Sequence, residues 1–127
     1  MIAVDTSALM AILTAESQET ACLDALATAQ DAIISAGTVA EALVVAARRN
    51  VLSDMQNLLD TLPMRVVNVT AESARRIGQI YAKWGKGLHP AGLNYGDCFA
   101  YDLAKQYECP LLFVGNDFSQ TDVKSAL

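Results

Sequence analysis

Short apolar runs alternate with longer segments of helical period along the whole of this 127-residue chain, and that alternation leaves few folds open. Ile2 to Val4, Ala32 to Ile34, Arg65 to Val69 and Leu111 to Val114 are rich in branched side chains and bounded by turn residues, the pattern of short strands. After Asp5 comes a helical segment carrying Leu9, Met10, Ile12 and Leu13, with Thr6 or Ser7 as its cap. Further helices are expected from about Ser17 to Ala29, from Thr38 to Arg49 after a break at Ser35-Ala36-Gly37, and from Ser53 to Leu62 ahead of Pro63. Thr70 caps the next one, whose stripe is Ala74, Ile77, Ile80, Tyr81 and Trp84, and a last helix spans Asn94 to Glu108. Gly85, Gly87, Pro90 and Gly92 mark a loop between those two. Strands and helices in this order require right-handed crossovers, so the expected architecture is a single α/β domain over residues 1–127. Its central sheet is mainly parallel and flanked by helices.

In such a sheet ligands bind beyond the carboxyl ends of the strands. Asp5 follows the first strand and Asp117 the last, which places both at that edge. Glu41 is the only charged residue between Ala32 and Ala47, in a helix where Val39, Ala40, Leu43, Val44 and Ala47 are read as packing one way and Thr38, Val45 and Arg48 share the glutamate's own face. Asp97 stands three residues after Asn94, in the third helical position where a carboxylate caps and meets the helix dipole. Gly96 before it leaves room for a close approach. Each of these acids has an ordinary structural reading as a cap, turn or surface residue. Together they form an acidic cluster without basic partners, which raises its own pKa values unless a cation offsets the repulsion. Hard divalent cations supply that offset, and the set points to a metal-dependent phosphodiesterase site.

Bulk properties narrow the partners. The net charge is −5, opposite to the broad basic surface of most nucleic-acid binders, so any such contact must be local and metal-assisted. Lys83 and Lys86 with His89, or Arg48 and Arg49, could supply a small basic rim. His89 is the single histidine, which excludes a two-histidine acid–base ribonuclease within one chain. Cys22, Cys98 and Cys109 form no close pair and leave an odd count, against a disulfide framework or a zinc knuckle. No apolar stretch reaches membrane-spanning length free of charge, and Met1 leads into Ile-Ala-Val-Asp without a basic leader, so a cytoplasmic protein is expected. A hydrophobic fraction of 53% leaves apolar surface for a contact between subunits.

Four stretches in register carry a family resemblance. Val4-Asp5-Thr6-Ser7-Ala8-Leu9, the central Glu41, Asn94-Tyr95-Gly96-Asp97-Cys98-Phe99-Ala100-Tyr101, and Leu111-Leu112-Phe113-Val114-Gly115-Asn116-Asp117-Phe118 with Thr121-Asp122 resemble a PIN domain, specifically the VapC-type ribonuclease toxins of prokaryotic toxin–antitoxin modules. The resemblance implies a PIN-like fold and Mg²⁺- or Mn²⁺-dependent cleavage of RNA. Asp5, Glu41, Asp97 and Asp117 fall on the acidic quartet, with Asp5, Asp97 and Asp117 as metal ligands and Thr6, Asn116 and Ser119 as supporting polar positions. It also implies a homodimer and inhibition by a cognate VapB-like antitoxin. Asp122 reads as the cap of a short last segment, and Asp102 as pointing away from the site. A catalytically silent PIN-like module is the alternative. A Mg²⁺-binding receiver domain is a further one, but it needs an aspartate where Val66-Val67-Asn68-Val69 offers Asn68.

Overall fold

Four short strands lie side by side and run the same way: β1 (Ile2–Val4), β2 (Ala32–Ser35), β3 (Arg65–Val67) and β4 (Leu111–Leu112), in the order β3-β2-β1-β4. This is a computed structural model that describes every residue from Met1 to Leu127. Ala3 is in register with Ile33 on one side and Leu111 on the other, and every neighbouring pair is parallel. Between the strands run α1 (Thr6–Leu13), α2 (Glu19–Thr28), α3 (Ala36–Arg48), α4 (Leu52–Thr61), α5 (Ala71–Trp84) and α6 (Tyr95–Gln106).

Alternation along the strands splits the core in two. Ala3, Ile33 and Leu111 join one cluster with Cys98, Leu103 and Ile77, while Val4, Ile34 and Leu112 join another with Leu9, Ala42 and Met55. Successive residues of a strand point to opposite faces, so the central strands are buried on both and read as continuous apolar runs. The edge strand β3 differs: Arg65 and Val66 are exposed, and only the inner edge is paired.

Several boundaries shift for physical reasons. Asp5, not Thr6 or Ser7, caps α1: its carboxylate accepts from the Ser7 N–H, and both hydroxyl residues lie inside the helix. Ser35 closes β2 and caps α3 by accepting from the Gly37 N–H, so the expected break is a direct strand-to-helix turn. Gly37 is needed there because a Cβ would fall in the ring of Phe99 on α6. The buried positions of α3 are Thr38, Ala42 and Ala46, while Ala40, Val44 and Ala47 face solvent, contrary to the expected packing face. Small residues one per turn let α3 sit close to its neighbours, and volume decided the face where hydrophobicity did not. On α5 the buried stripe is Ser73 and Ile77, with Ala74 exposed. Thr70 and Ser73 form a reciprocal capping box at its start. β3 ends at Val67 and β4 at Leu112, each two residues earlier than expected.

Two further acids, Asp102 and Asp122, have structural partners. Asp102 is buried and paired with Arg76 of α5. Asp122 caps nothing; it accepts from the Tyr101 hydroxyl at 2.5 Å and from Lys105 at 3.2 Å, tying the C-terminal segment to α6. Those contacts hold its carboxyl below the usual range, while burial and then the Asp122 contact push Tyr101 up to about 12.

Candidate active site

Helix starts at the carboxyl edge of the sheet build the site. β1 passes through Asp5 straight into α1, and one oxygen of Asp5 does the capping work. Its Oδ2 accepts from the Ser7 N–H at 3.0 Å and the Ser7 hydroxyl at 2.7 Å. Its Oδ1 is buried with no hydrogen-bond partner at all. A buried carboxylate oxygen left unmatched is expensive, and a bound cation would offset that cost. The Ser7 hydroxyl also accepts from the Val114 N–H at 3.0 Å, fixing the exit of β4 to the start of α1.

Asp97 repeats the division of labour. Its Oδ2 accepts from the Asn94 N–H at 3.0 Å and its own N–H donates to Asn94 Oδ1 at 2.9 Å, a reciprocal capping box that leaves Asp97 Oδ1 outside the exchange. The capping reading and the ligand reading of Asp97 are therefore compatible. Glu41 approaches from α3, where the Thr6 hydroxyl donates to its Oε1 at 2.6 Å. On the other side it lies against Gly96, where any Cβ would overlap the carboxylate. Asp117 comes from the turn after β4, exposed and following Gly115, whose φ of +97° suits glycine.

These four acids line one cavity of about 370 Å³. Burial, opposed by the Ser7 hydrogen bonds and reinforced by the Glu41 charge, raises Asp5 to about 6. Burial again leads at Asp97, raised to about 7, with the charges of Asp5, Asp117 and Glu41 adding to it. At both residues burial is the larger cause, and the neighbouring carboxylates add to it.

Thr6 lines the cavity; Asn116 and Ser119 do not. Those two build the turn that carries Asp117, with the Ser119 N–H and hydroxyl both donating to the Asn116 carbonyl, at 3.1 and 2.7 Å. Of the basic residues, Arg49 reaches the cavity. Lys83 and His89 instead pack on Trp84, the ammonium 4.9 Å above its ring and the imidazole edge-on at 4.8 Å, and His89 Nδ1 accepts from the Ala91 N–H. Sequence reasoning missed Glu16, a fifth acid at the rim, and the clamp role of Ser7. Glu16 follows Ala15, whose positive φ turns the chain back toward the site, and no periodic pattern signals that.

The donor set suits a hard divalent cation. No three of these side chains stand as a ready-made ligand set, but Mg²⁺ is commonly held by one or two carboxylates and keeps several waters. The unmatched Asp5 Oδ1 and the uncommitted oxygen of Asp97 fit that requirement, and the other acids line the same cavity.

The PIN domain family model matches residues 2–124. Ribonuclease VapC28 of Mycobacterium tuberculosis is 43% identical over 128 residues, covering 98% of this chain and 96% of that protein. Ribonuclease VapC36 of the same organism is 40% identical over 125 residues, covering 95% and 90%. Among solved structures, VapC20 of Mycobacterium tuberculosis, described as a sarcin–ricin loop cleaving toxin, superposes with a TM-score of 0.79 over 97% of this chain and 96% of its own, at 15% identity. VapBC2 from Rickettsia felis, bound to a DNA fragment from its promoter, gives 0.72 at 17% identity, covering 98% and 96%. The fold is thus shared well beyond recognisable sequence. With a family match over nearly its whole length and curated relatives at about two identities in five, this chain belongs to the PIN-domain family, on its VapC ribonuclease branch.

Proposed function

We propose that this protein is a divalent-metal-dependent endoribonuclease toxin, acting in the cytoplasm on RNA phosphodiester bonds and held in check by a cognate VapB-like antitoxin. The observation that carries the chemistry is the pair of half-committed carboxylates, Asp5 and Asp97, with an oxygen of each left over in one acidic cavity. A bound Mg²⁺ or Mn²⁺ would supply the counter-charge and Lewis acidity that a phosphodiester needs. Asp5 and Asp97 would hold it directly, and Asp117, which lines the same cavity, would complete the set.

Glu41 has a separate task. Thr6 fixes one of its oxygens and Gly96 admits the other, so the carboxylate is oriented without being neutralised by a basic group. In that position it can accept a proton from an attacking water. Arg49 at the rim offers a donor to an RNA phosphate that the acids alone would repel. Asn116 and Ser119 support Asp117 by shaping its turn.

Partners follow from charge and surface. A net charge of −5 suits a basic inhibitory segment laid over the acidic cavity. A solved toxin–antitoxin complex from Klebsiella pneumoniae also shares the fold, with a TM-score of 0.71 at 17% identity. Val44 and Val66, exposed at 59% and 54%, support a homodimer as the place where this apolar surface is covered. No helix is long and apolar enough to cross a membrane. The test is cleavage of a mixed RNA population by purified protein: activity should appear with Mg²⁺ or Mn²⁺, vanish with EDTA, and vanish again when antitoxin is added back.

A further inference from the structure

A second cavity, of about 310 Å³, lies along α6 from the carboxylates. Asn94, the cap of α6, and Asp97 line the first cavity and Phe99, Leu103 and Gln106 the second, so the two share one helix. Its apolar walls are Val67, Phe99 and Leu103, and its polar groups include Asn68, Arg76 and Gln106. The volume is at the low end for small-ligand sites, which start at about 300 Å³.

Charge decides what fits. Arg76 donates Nε and Nη2 to the two oxygens of Asp102 at 2.7 and 3.2 Å, so its cation is offset in place and the cavity is close to neutral. An anion would find no free positive charge there. The amide side chains of Asn68 and Gln106 are exposed at the mouth, each able to donate and accept. Apolar and aromatic walls with amides at the edge match a flat, uncharged heteroaromatic ring. Tyr95 adds a second signal. It is 70% exposed, its ring edge-on to Phe99 at 5.1 Å, and it adjoins Asn94 of the first cavity. A tyrosine this exposed contributes little to the core, and beside Asn94 of the first cavity and Phe99 of the second its ring can stack a base.

We propose that the second cavity is a subsite for one nucleobase of the RNA, one nucleotide removed from the scissile phosphate, and that Tyr95 stacks the base between. The subsite gives the protein sequence discrimination that the carboxylates, acting on phosphates common to all RNA, do not supply. This inference rests on the ribonuclease reading above.

The test uses a pool of short RNAs randomised around a central position, cleaved with Mg²⁺ and read by mapping new 5′ ends. Wild-type protein, Asp97→Asn, Tyr95→Ala, and the double variant Asn68→Leu with Gln106→Leu are compared, with thermal melting to confirm that each folds. Expected is a wild-type base preference at the position one nucleotide removed from the cut. In the double variant the preference should fall about tenfold, the size of one or two lost hydrogen bonds. Tyr95→Ala should raise KM at all sequences alike. An Asp97-dependent cleavage with no base preference, or with a preference the double variant retains, would overturn the subsite while leaving the ribonuclease reading intact. Absence of any Asp97-dependent cleavage would overturn both.

Discussion

Gly96 of α6 and Glu41 of α3 share one volume: the glutamate carboxylate occupies the space that any Cβ at position 96 would need. A residue with no side chain thereby sets the position of the carboxylate on another helix that we propose as the general base. Gly96→Ala should displace Glu41 and reduce cleavage by at least about tenfold, comparable to misplacing a general base. Gly78→Ala is the matched control, since nothing lies within 4 Å of its added methyl in α5. That change should raise stability by about 0.5–1 kcal/mol, the helix preference of alanine over glycine. Rate assays and thermal melts of the two variants, side by side, separate the effects.

The Thr6 hydroxyl holds Glu41 by a 2.6 Å hydrogen bond from a different helix. Thr6→Val keeps the shape and removes the donor. Activity should fall about 5- to 100-fold, with the affinity for metal little changed, because a water-orienting carboxylate has lost its aim. Thr6→Ser should recover most of the rate, and equal losses in both variants would point to packing instead.

Raised carboxyl pKa values make a prediction about pH in the absence of metal. Asp5 and Asp97 stand at about 6 and 7 in the fold against an ordinary 3.8. The fold therefore favours their protonated forms. Their contribution to stability is fully present below about pH 4 and is lost as pH rises through 6 and 7, leaving a penalty at neutral pH. In EDTA at pH 8, Asp97→Asn should be more stable than wild type by about 1–3 kcal/mol, the worth of one to two pKa units. At pH 4 the difference should shrink. Mg²⁺ should stabilise wild type and leave the variant's melting temperature nearly unmoved.

Ser7 joins the two strands that deliver Asp5 and Asp117. Its hydroxyl donates to Asp5 Oδ2 and accepts from the Val114 N–H. Ser7→Ala leaves that amide without its partner and loosens both acids, at a cost of about 1–3 kcal/mol. Chemical denaturation should show this loss, and the remaining activity should need more Mg²⁺ for half-maximal rate.

The parallel sheet and the quartet were legible in the sequence because both depend on short-range pattern. Buried strands announce themselves as branched apolar runs, and Asp5 and Asp117 fall at strand ends by position alone. Glu41 stood out as the only charged residue between Ala32 and Ala47. The face of α3 was misread because Val44 and Ala46 differ in hydrophobicity in the wrong direction: the smaller residue is buried where helices approach closely. Glu16, Ser7 and the Gly37–Phe99 contact join elements distant in sequence, and nothing local encodes them. Asp97 is instructive in another way, since its capping signature was correct and excluded nothing: one oxygen caps, and the other lies outside that exchange.

Expression of wild type and Asp97→Asn in matched cells, followed by genome-wide mapping of RNA 5′ ends and metal-dependent cleavage with the purified proteins, tests the central claim most directly. New 5′ ends that appear with wild type, are absent with Asp97→Asn, and are reproduced in vitro only with Mg²⁺ or Mn²⁺ are the predicted result. Cleavage that survives Asp97→Asn, or a wild-type protein that produces no new ends at all, would contradict the assignment.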